Sequence, residues 1–404
     1  MAEQRSPLQG ITVLDLGQIY NGPYATFLMG MAGARIIKIE PLEGESMRQR
    51  TLIGGAALPF AMLNSNKQAV TLNLKTARGR EILLDMARRA DVLLENFLPG
   101  KLDKLGVGYD VLKAINPRII VASGSGYGST GPYREYPAMD ISIQAMSGAM
   151  SVTGFPDGPP TKIGPALCDF SCGVHLYGAV VTALYEREKT GVGQKVEVAM
   201  LDATYFTLAS SLGLYFASGN YGGPVNFEQR TGNTHSGRAS APYSVYPVKD
   251  GHIAILCTNN KHWISLTKVM GREELGRDPR YDTAKKRAAA SEEVDRIVGA
   301  YAAQYGRDEL FAILSPNHIP CAPVRDVADI TNDRHLHERG MLEWMDHPMY
   351  GRIAAARSPL RFEHQGRVPL TPSAELGAHN REVYGDWLGL SAEELERLKA
   401  ENVI

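Results

Sequence analysis

Strand-like and helix-like runs alternate through the first half of this chain, and that alternation restricts the fold more than any other feature. The stretch 11–16 (ITVLDL) reads as a buried strand, 23–32 as a helix and 34–40 (ARIIKIE) as the next strand. Residues 68–74 read as a strand. Residues 76–89 read as an amphipathic helix with Ile82, Leu83 and Met86 on one face, and 91–96 and 118–123 as further strands. Parallel strands need a crossover between them, and helices at this spacing supply it. The pattern predicts an α/β fold with a mostly parallel sheet, whose ligand sits beyond the carboxyl ends of the strands.

The second half reads differently. A long helical pattern runs from about 169 to 188 and is closed by 189–193 (KTGVG). A strand over 194–200 and a helix over 201–218 follow, then a glycine-rich stretch over 219–237. Residues 243–248 and 252–256 flank Asp250-Gly251, which predicts a β-hairpin. Helices are expected over 263–270, 292–305 and 308–314. This mixture of a hairpin and helices predicts a second, smaller α+β domain of typical size. The tail ends in a helix opened by Ser391-Ala392-Glu393-Glu394, a capping signal.

Charge excludes some functions. Lys+Arg (43) and Asp+Glu (44) balance, so no overall field draws nucleic acid or an anionic membrane. No run approaches the ~18 uninterrupted apolar residues of a membrane span. The opening residues Met1–Pro7 lack the basic-then-apolar order of a secretory leader. Cys168, Cys172, Cys257 and Cys321 form no C-x-x-C pair, so they read as buried small residues rather than a zinc or redox site. No metal is expected, and a cytoplasmic protein is.

Few residues carry candidate chemistry. Gly124-Ser125-Gly126-Tyr127-Gly128-Ser129 follows a strand but continues as loop, so it reads as a loop near a ligand rather than a dinucleotide fingerprint. His335 and His337 lack a third ligand at metal spacing. Lys67, Lys75, Lys101 and Lys104 lie near strand ends beside Asn96 and Phe97; they are solvated surface or a phosphate site with a purine-stacking ring. Asp169 follows the run Thr153–Pro160 (TGFPDGPP), where loop gives way to the long helix. There it is either a helix cap or a nucleophile that the helix end keeps ionised.

The motifs resemble the class III CoA-transferases, the family of formyl-CoA:oxalate, carnitine and succinyl-CoA:dicarboxylate CoA-transferases. The matching stretches are Gly22-Pro23, ARIIKIE at 34–40, Asn66-Lys67, DVLLENFLPG at 91–100, Gly126-Tyr127-Gly128, TGVGQKVEVAMLDA at 190–203 and IPCAPV at 319–324. The resemblance spans essentially the whole chain. It implies a Rossmann-like large domain from both chain ends (1–220 and 331–404), a small domain over 225–330, and a homodimer of interlocked chains. It makes Asp169 the nucleophile, with Asp140 orienting groups beside it. By matched position it implies CoA contacts at Gln18, Ile19, Tyr20, Asn21, Leu72, Lys75, Asn96, Phe97, Lys104 and Leu105. CoA thioesters are then substrates, and no tightly bound cofactor is expected.

Departures from the family pattern qualify this. Lys104 stands where an arginine also occurs, which loses a bidentate fork. Pro41 replaces a basic residue of some relatives, and Arg48 or Lys38 is a candidate to supply that charge. Arg48, Arg230 or Arg238 is a candidate partner for a second carboxylate of the acceptor. The acyl-CoA racemases of the same fold pair the aspartate with a histidine, where this chain has Met139, and a thioether moves no proton. The multi-glycine loop of the oxalate enzymes is absent; Gly232–Gly237 (GNTHSG) stands near its place. The expected activity is CoA transfer from an acyl-CoA to a short, dicarboxylic acceptor through an aspartyl anhydride and an aspartyl-CoA thioester. An α-methylacyl-CoA racemase and a silent dimeric binding protein are the alternatives.

Overall fold

A computed structural model describes residues 5–49, 57–219 and 222–404. Residues 1–4 of the opening and 220–221 of the glycine-rich stretch lie outside the described residues. The chain divides into two compact units, Met1–Met146 with Pro165–Phe206 and Asp333–Ile404, and Ser147–Gly164 with Thr207–Asn332. Residues 147–164 and 207–219 therefore group with the second unit, whereas the sequence boundary at 220 assigned them to the first. Continuous sequence does not reveal which loops fold back onto another segment.

The first unit carries a six-stranded parallel sheet. Its strands are β1 (Thr12–Asp15), β2 (Arg35–Glu40), β3 (Gln68–Thr71), β4 (Val92–Glu95), β5 (Ile120–Ser125) and β6 (Lys195–Ala199), in the order β3-β2-β1-β4-β5-β6. Alternate residues serve opposite faces, as the pleat requires. Leu14, Ile37, Leu93 and Val121 pack with Ile82, Leu83 and Met86 of α2 (Ala77–Ala87). Val13, Ile36, Val92 and Ile120 pack on the other face with Met29 of α1 (Asn21–Met31) and with Leu176 and Val180 of α4 (Leu167–Thr190). The sheet is apolar on both faces because helices cover both.

At 24 residues, α4 is long and apolar enough to span a membrane by composition. Here Leu176, Val180, Ala183 and Leu184 face the sheet core instead. The helix closes at Gly191, whose φ of 75° is the left-handed cap that glycine adopts without strain. The C-terminal residues Val383, Tyr384, Leu398 and Val403 join the α2 side of the core, and the Tyr384 hydroxyl donates to Thr71 O at 2.8 Å. A hairpin of Leu342–His347 and Gly351–Ala356, unforeseen in the sequence, belongs to this unit.

In the second unit, Tyr243–Val248 and Gly251–Leu256 form the expected hairpin, and Cys321–Pro323 adds a third antiparallel strand. Trp263, Leu266, Val294, Val298 and Leu310 fill its core. The helix expected over 201–218 is broken. It is α5 (Met200–Tyr205), a 3₁₀ turn at Phe206–Leu208 and a separate helix Ala209–Ala217.

Candidate active site

The strand order reverses direction between β1 and β4, and the loops leaving those two strands diverge there. In open parallel sheets this switch point is where ligands bind. A cavity of about 290 Å³ lies there. Gln18, Ile19 and Asn21 reach it from the β1 loop, Asn96 and Phe97 from the β4 loop, and Gly124–Tyr127 from the end of β5. Met139, Asp169 and Met200 also line it. The glycine-containing loop after β5 thus belongs to the site as a wall, not as a phosphate-binding helix start.

Close packing brings the nucleophile candidate to this place. Gly173, one turn along α4 from Asp169, faces the β1 loop. A Cβ at Gly173 would come within 2.8 Å of Asn21 O, so a larger residue would push α4 and its carboxylate away. Next to Asp169, the Phe170 ring stacks on Tyr20 at 5.6 Å and meets Tyr24 edge-on at 4.9 Å.

Asp169 is not the cap of α4. The helix begins at Leu167 behind Ala166, and Asp169 lies in its first turn, 7% exposed. The cap comes from Asp140, which opens α3 (Asp140–Met146). Asp140 Oδ1 accepts from the Cys168 amide at 2.8 Å and from the Asp169 amide at 3.2 Å. Gln144 Nε2 donates to its other oxygen at 2.5 Å. The amides expected to keep Asp169 ionised are therefore taken. Burial, and then the charge of Asp140, push the Asp169 carboxyl up to about 7.

The other sequence-derived contacts divide into two groups. Gln18, Ile19, Asn21, Asn96 and Phe97 share the cavity with Asp169. Asn96 ties the two loops together: its Oδ1 accepts from Gln18 N at 2.8 Å, and its Nδ2 donates to Gln18 O and to Asn21 Oδ1 at 2.8 and 2.6 Å. Tyr20 stands beside the wall through Phe170. The remaining residues lie off the cavity. The Leu72 side chain is in the core and Leu105 packs against that core, so a ligand meets Leu72 only through its backbone. Lys75 and Lys104 are exposed, after β3 and in the short helix Lys101–Lys104 after β4. They share the carboxyl edge of the sheet with the cavity without lining it.

Several charged candidates are already engaged. Lys67 is not a phosphate ligand: its ammonium is buried, 2.9 Å from Asp15 Oδ2, and donates to Thr26, Asn64 and Pro23 O. Burial pulls it down to about 8, against the opposing pull of Asp15. Arg48 forks onto Glu40 at 2.8 and 2.9 Å, and Lys38 is buried against Gly17 O, so neither replaces the charge missing at Pro41. Arg238 pairs with Glu228 at 2.8 Å, and Arg230 donates to Phe155 O and Gly158 O. Among the described residues the arginine on the cavity wall is Arg134, which sequence reasoning passed over; it pairs with its exposed neighbour Glu135 at 3.0 Å and differs from the others in lining the cavity. Tyr127 and Tyr136 line the wall beside it. Their tyrosine-rich spacing, Tyr127, Tyr133 and Tyr136 within ten residues, was the available signal. No described cavity residue is a histidine; at Met139 stands the thioether. His337 stacks on Trp344 at 5.6 Å. Among the described residues no group of three His, Cys, Asp or Glu side chains has the arrangement to hold a metal.

A buried carboxylate with a raised pKa on a cavity at the switch point of a doubly wound sheet has the character of an enzyme active site in an α/β fold. Residues 8–380 match the model of CoA-transferase family III. A formyl-CoA:oxalate CoA-transferase of Streptomyces coelicolor is 36% identical over 411 residues, spanning 98% of this chain and 99% of that one. A succinyl-CoA:glutarate CoA-transferase of Mus musculus is 30% identical over 405 residues, spanning 100% and 91%. A CAIB/BAIF family protein from Brucella suis has a solved structure with TM-score 0.82 and 34% identity, covering 94% of this chain and 99% of that one. The chain belongs to family III of the CoA-transferases.

Proposed function

We propose that this enzyme moves CoA from an acyl-CoA thioester to a short dicarboxylate, with Asp169 as the covalent carrier. The observation that carries this reading is the desolvated Asp169 carboxylate on the wall of the switch-point cavity. An Asp169 oxygen attacks the donor carbonyl, the C–S bond breaks, and CoA leaves as thiolate with a mixed anhydride behind it. The thiolate attacks the aspartyl carbonyl and frees the donor acid as carboxylate, leaving an aspartyl-CoA thioester. The acceptor carboxylate attacks that thioester and expels CoA thiolate again, which then takes the acceptor acyl group from the second anhydride and returns Asp169. Each step exchanges one anion for another, so proton balance is preserved. Acylated Asp169 carries no charge, so covalent chemistry relieves the burial and the Asp140 repulsion that raise the free carboxylate in energy.

The residues Gln18, Ile19, Tyr20, Asn21, Leu72, Lys75, Asn96, Phe97, Lys104 and Leu105 are proposed to line the path of CoA along the carboxyl edge of the sheet. Arg134 replaces Arg48, Arg230 and Arg238 as the proposed partner of a second acceptor carboxylate. The relatives that act on oxalate and glutarate support a dicarboxylate. Racemisation is disfavoured, because Met139 lines the cavity where that chemistry needs a histidine.

A cytoplasmic homodimer completes the proposal. In the single chain, no residue of Ala209–Ala217 (ASSLGLYFA) is buried, and Phe206 is 78% exposed. Apolar surface of this kind calls for a protein cover, and a second copy supplies it. Sedimentation at low micromolar concentration is expected to give a dimer; a stable monomer overturns that part. The transfer reading is tested by incubating the enzyme with succinyl-CoA or acetyl-CoA and reading intact mass. A covalent adduct on the peptide containing Asp169, removed by hydroxylamine, is expected; persistent absence of any adduct during turnover overturns it.

A further inference from the structure

Ile19 is a β-branched residue with φ 64° on the wall of the Asp169 cavity. The left-handed region is strained for such a side chain. Such strain persists only where the surroundings over-determine it, and here they do. The Gly17 amide donates to Asp15 Oδ1 at 2.8 Å, and Gly17 O accepts from Lys38 Nζ at 2.8 Å. Asn96 takes the Gln18 amide and donates to the Gln18 carbonyl. The Ile19 amide donates to Glu45 Oε2 at 3.2 Å. Every backbone polar group from Gly17 N to Ile19 N thus meets a side chain rather than another strand or helix.

Glu45 is the costly member of this clamp. It is 2% exposed, lies on the connection between β2 and the short helix Ser46–Gln49, and is remote in sequence from Ile19. Its Oε1 has no hydrogen-bond partner among the described residues and faces Lys38 Nζ at 3.8 Å. A buried carboxylate with one oxygen unsatisfied is expensive to retain for folding alone. Its other oxygen accepts from the strained Ile19 amide of the cavity wall at 3.2 Å and, more weakly, from the Met47 amide at 3.4 Å.

We infer that Glu45, backed by Lys38, is a positioning residue that holds Ile19 in the left-handed conformation and so fixes the Gln18–Asn21 wall against Asp169. This rests on the Asp169 cavity being the transfer site. Misplacement of a wall by about 1 Å is enough to lower turnover ~10²-fold. Without Glu45, Ile19 relaxes to negative φ and the wall moves. Glycine at 19 has no such preference, so it removes the driving force for that movement.

The experiment is a cycle of Glu45→Ala, Ile19→Gly and the double variant, each measured by steady-state transfer and by hydrogen exchange without substrate. Glu45→Ala is expected to lower kcat/KM about 100-fold, with a fall in kcat as well as a rise in KM, and to speed exchange of the 17–21 amides. Adding Ile19→Gly to Glu45→Ala is expected to restore kcat/KM about tenfold. A merely structural role predicts no such rescue. If Glu45→Ala folds poorly, Glu45→Gln keeps an acceptor for the Ile19 amide and loses the Lys38 pair, and a smaller change in the same direction is expected. Unchanged exchange at 17–21 in Glu45→Ala, or no rescue by glycine, overturns the inference. Exchange reports on the clamp even if the enzyme transfers no CoA, so failure of the clamp and failure of the transfer reading are separate results.

Discussion

Asp140 accepts a hydrogen bond from the backbone amide of Asp169 at 3.2 Å, so the carboxylate that repels the proposed nucleophile also ends its helix. One side chain anchors the start of α4 and raises the energy of the group that α4 presents. The two roles have opposite signs for stability, and substitutions at the two positions separate them.

Asp169→Asn is expected to abolish transfer by several orders of magnitude and to stabilise the fold at neutral pH and above. The carboxyl stands at about 7 when folded, against an ordinary 3.8. Its folded pKa is raised, so the folded state binds more protons between those values, and stability falls as pH rises from about 4 to 7. Above pH 7 the full penalty applies, of order 4 kcal/mol at most. Asn has no such titration and leaves the Asp140 cap in place. Urea denaturation at pH 8 should show the variant more stable than the parent, with the gap narrowing toward pH 4. A variant less stable than the parent at pH 8 contradicts this account.

Asp140→Asn retains an acceptor for the Cys168 and Asp169 amides and removes the negative charge. With ionised Asp169 as the proposed nucleophile, the parent is expected to show an acid limb of kcat/KM near pH 7, and removal of the Asp140 charge should move it to lower pH. Asp140→Ala should show the same shift and lose about 1 kcal/mol in addition, the usual worth of an N-terminal cap. An acid limb that stays in place in both variants removes Asp140 from the electrostatics of the site.

The sheet was legible because its strands are near-continuous apolar runs separated by helices, as at 34–40 and 91–96. Asp169 was legible as a cap or a nucleophile, and of these two readings the structure removes the cap. The true cap, Asp140, lies 29 residues away across a loop, and local sequence carries no signal for such a bond. Lys67 was misread for the same reason. Whether a lysine is solvated or buried depends on its partner, and Asp15 is 52 positions distant. Leu72 and Leu105 were placed by their position in the family resemblance, while their side chains belong to the core or pack against it. Arg134 was missed because an exposed arginine looks alike in sequence whether or not a cavity lies beside it.

Lys67→Met should destabilise the large unit strongly without touching the cavity wall. It leaves Asp15 buried with its closest cation gone, which typically costs 3–5 kcal/mol. Thr26 and the Gly17 amide still donate to Asp15, so the loss is expected at the lower end of that range. Adding Asp15→Asn should recover part of it, because the uncompensated charge disappears. Urea midpoints for the two singles and the double measure the coupling, and strictly additive losses would mean that the pair contributes nothing beyond its separate members.

Lys75→Ala and Lys104→Ala test whether CoA runs along the carboxyl edge of the sheet. Both side chains are exposed and off the cavity, so neither is placed to touch the reacting carbonyl. Stability should change by no more than about 0.5 kcal/mol, as for ordinary surface positions. A lysine that meets a phosphate of the CoA moiety contributes equally in ground and transition states, so its loss raises KM for the acyl-CoA and leaves kcat near the parent value. Exposed charge pairs are screened, so the rise should shrink as salt increases from 50 to about 500 mM. The KM for the carboxylate acceptor should not move in either variant. An unchanged acyl-CoA KM in both would take these lysines out of the binding path and leave the edge between β3 and β4 without its proposed phosphate contacts.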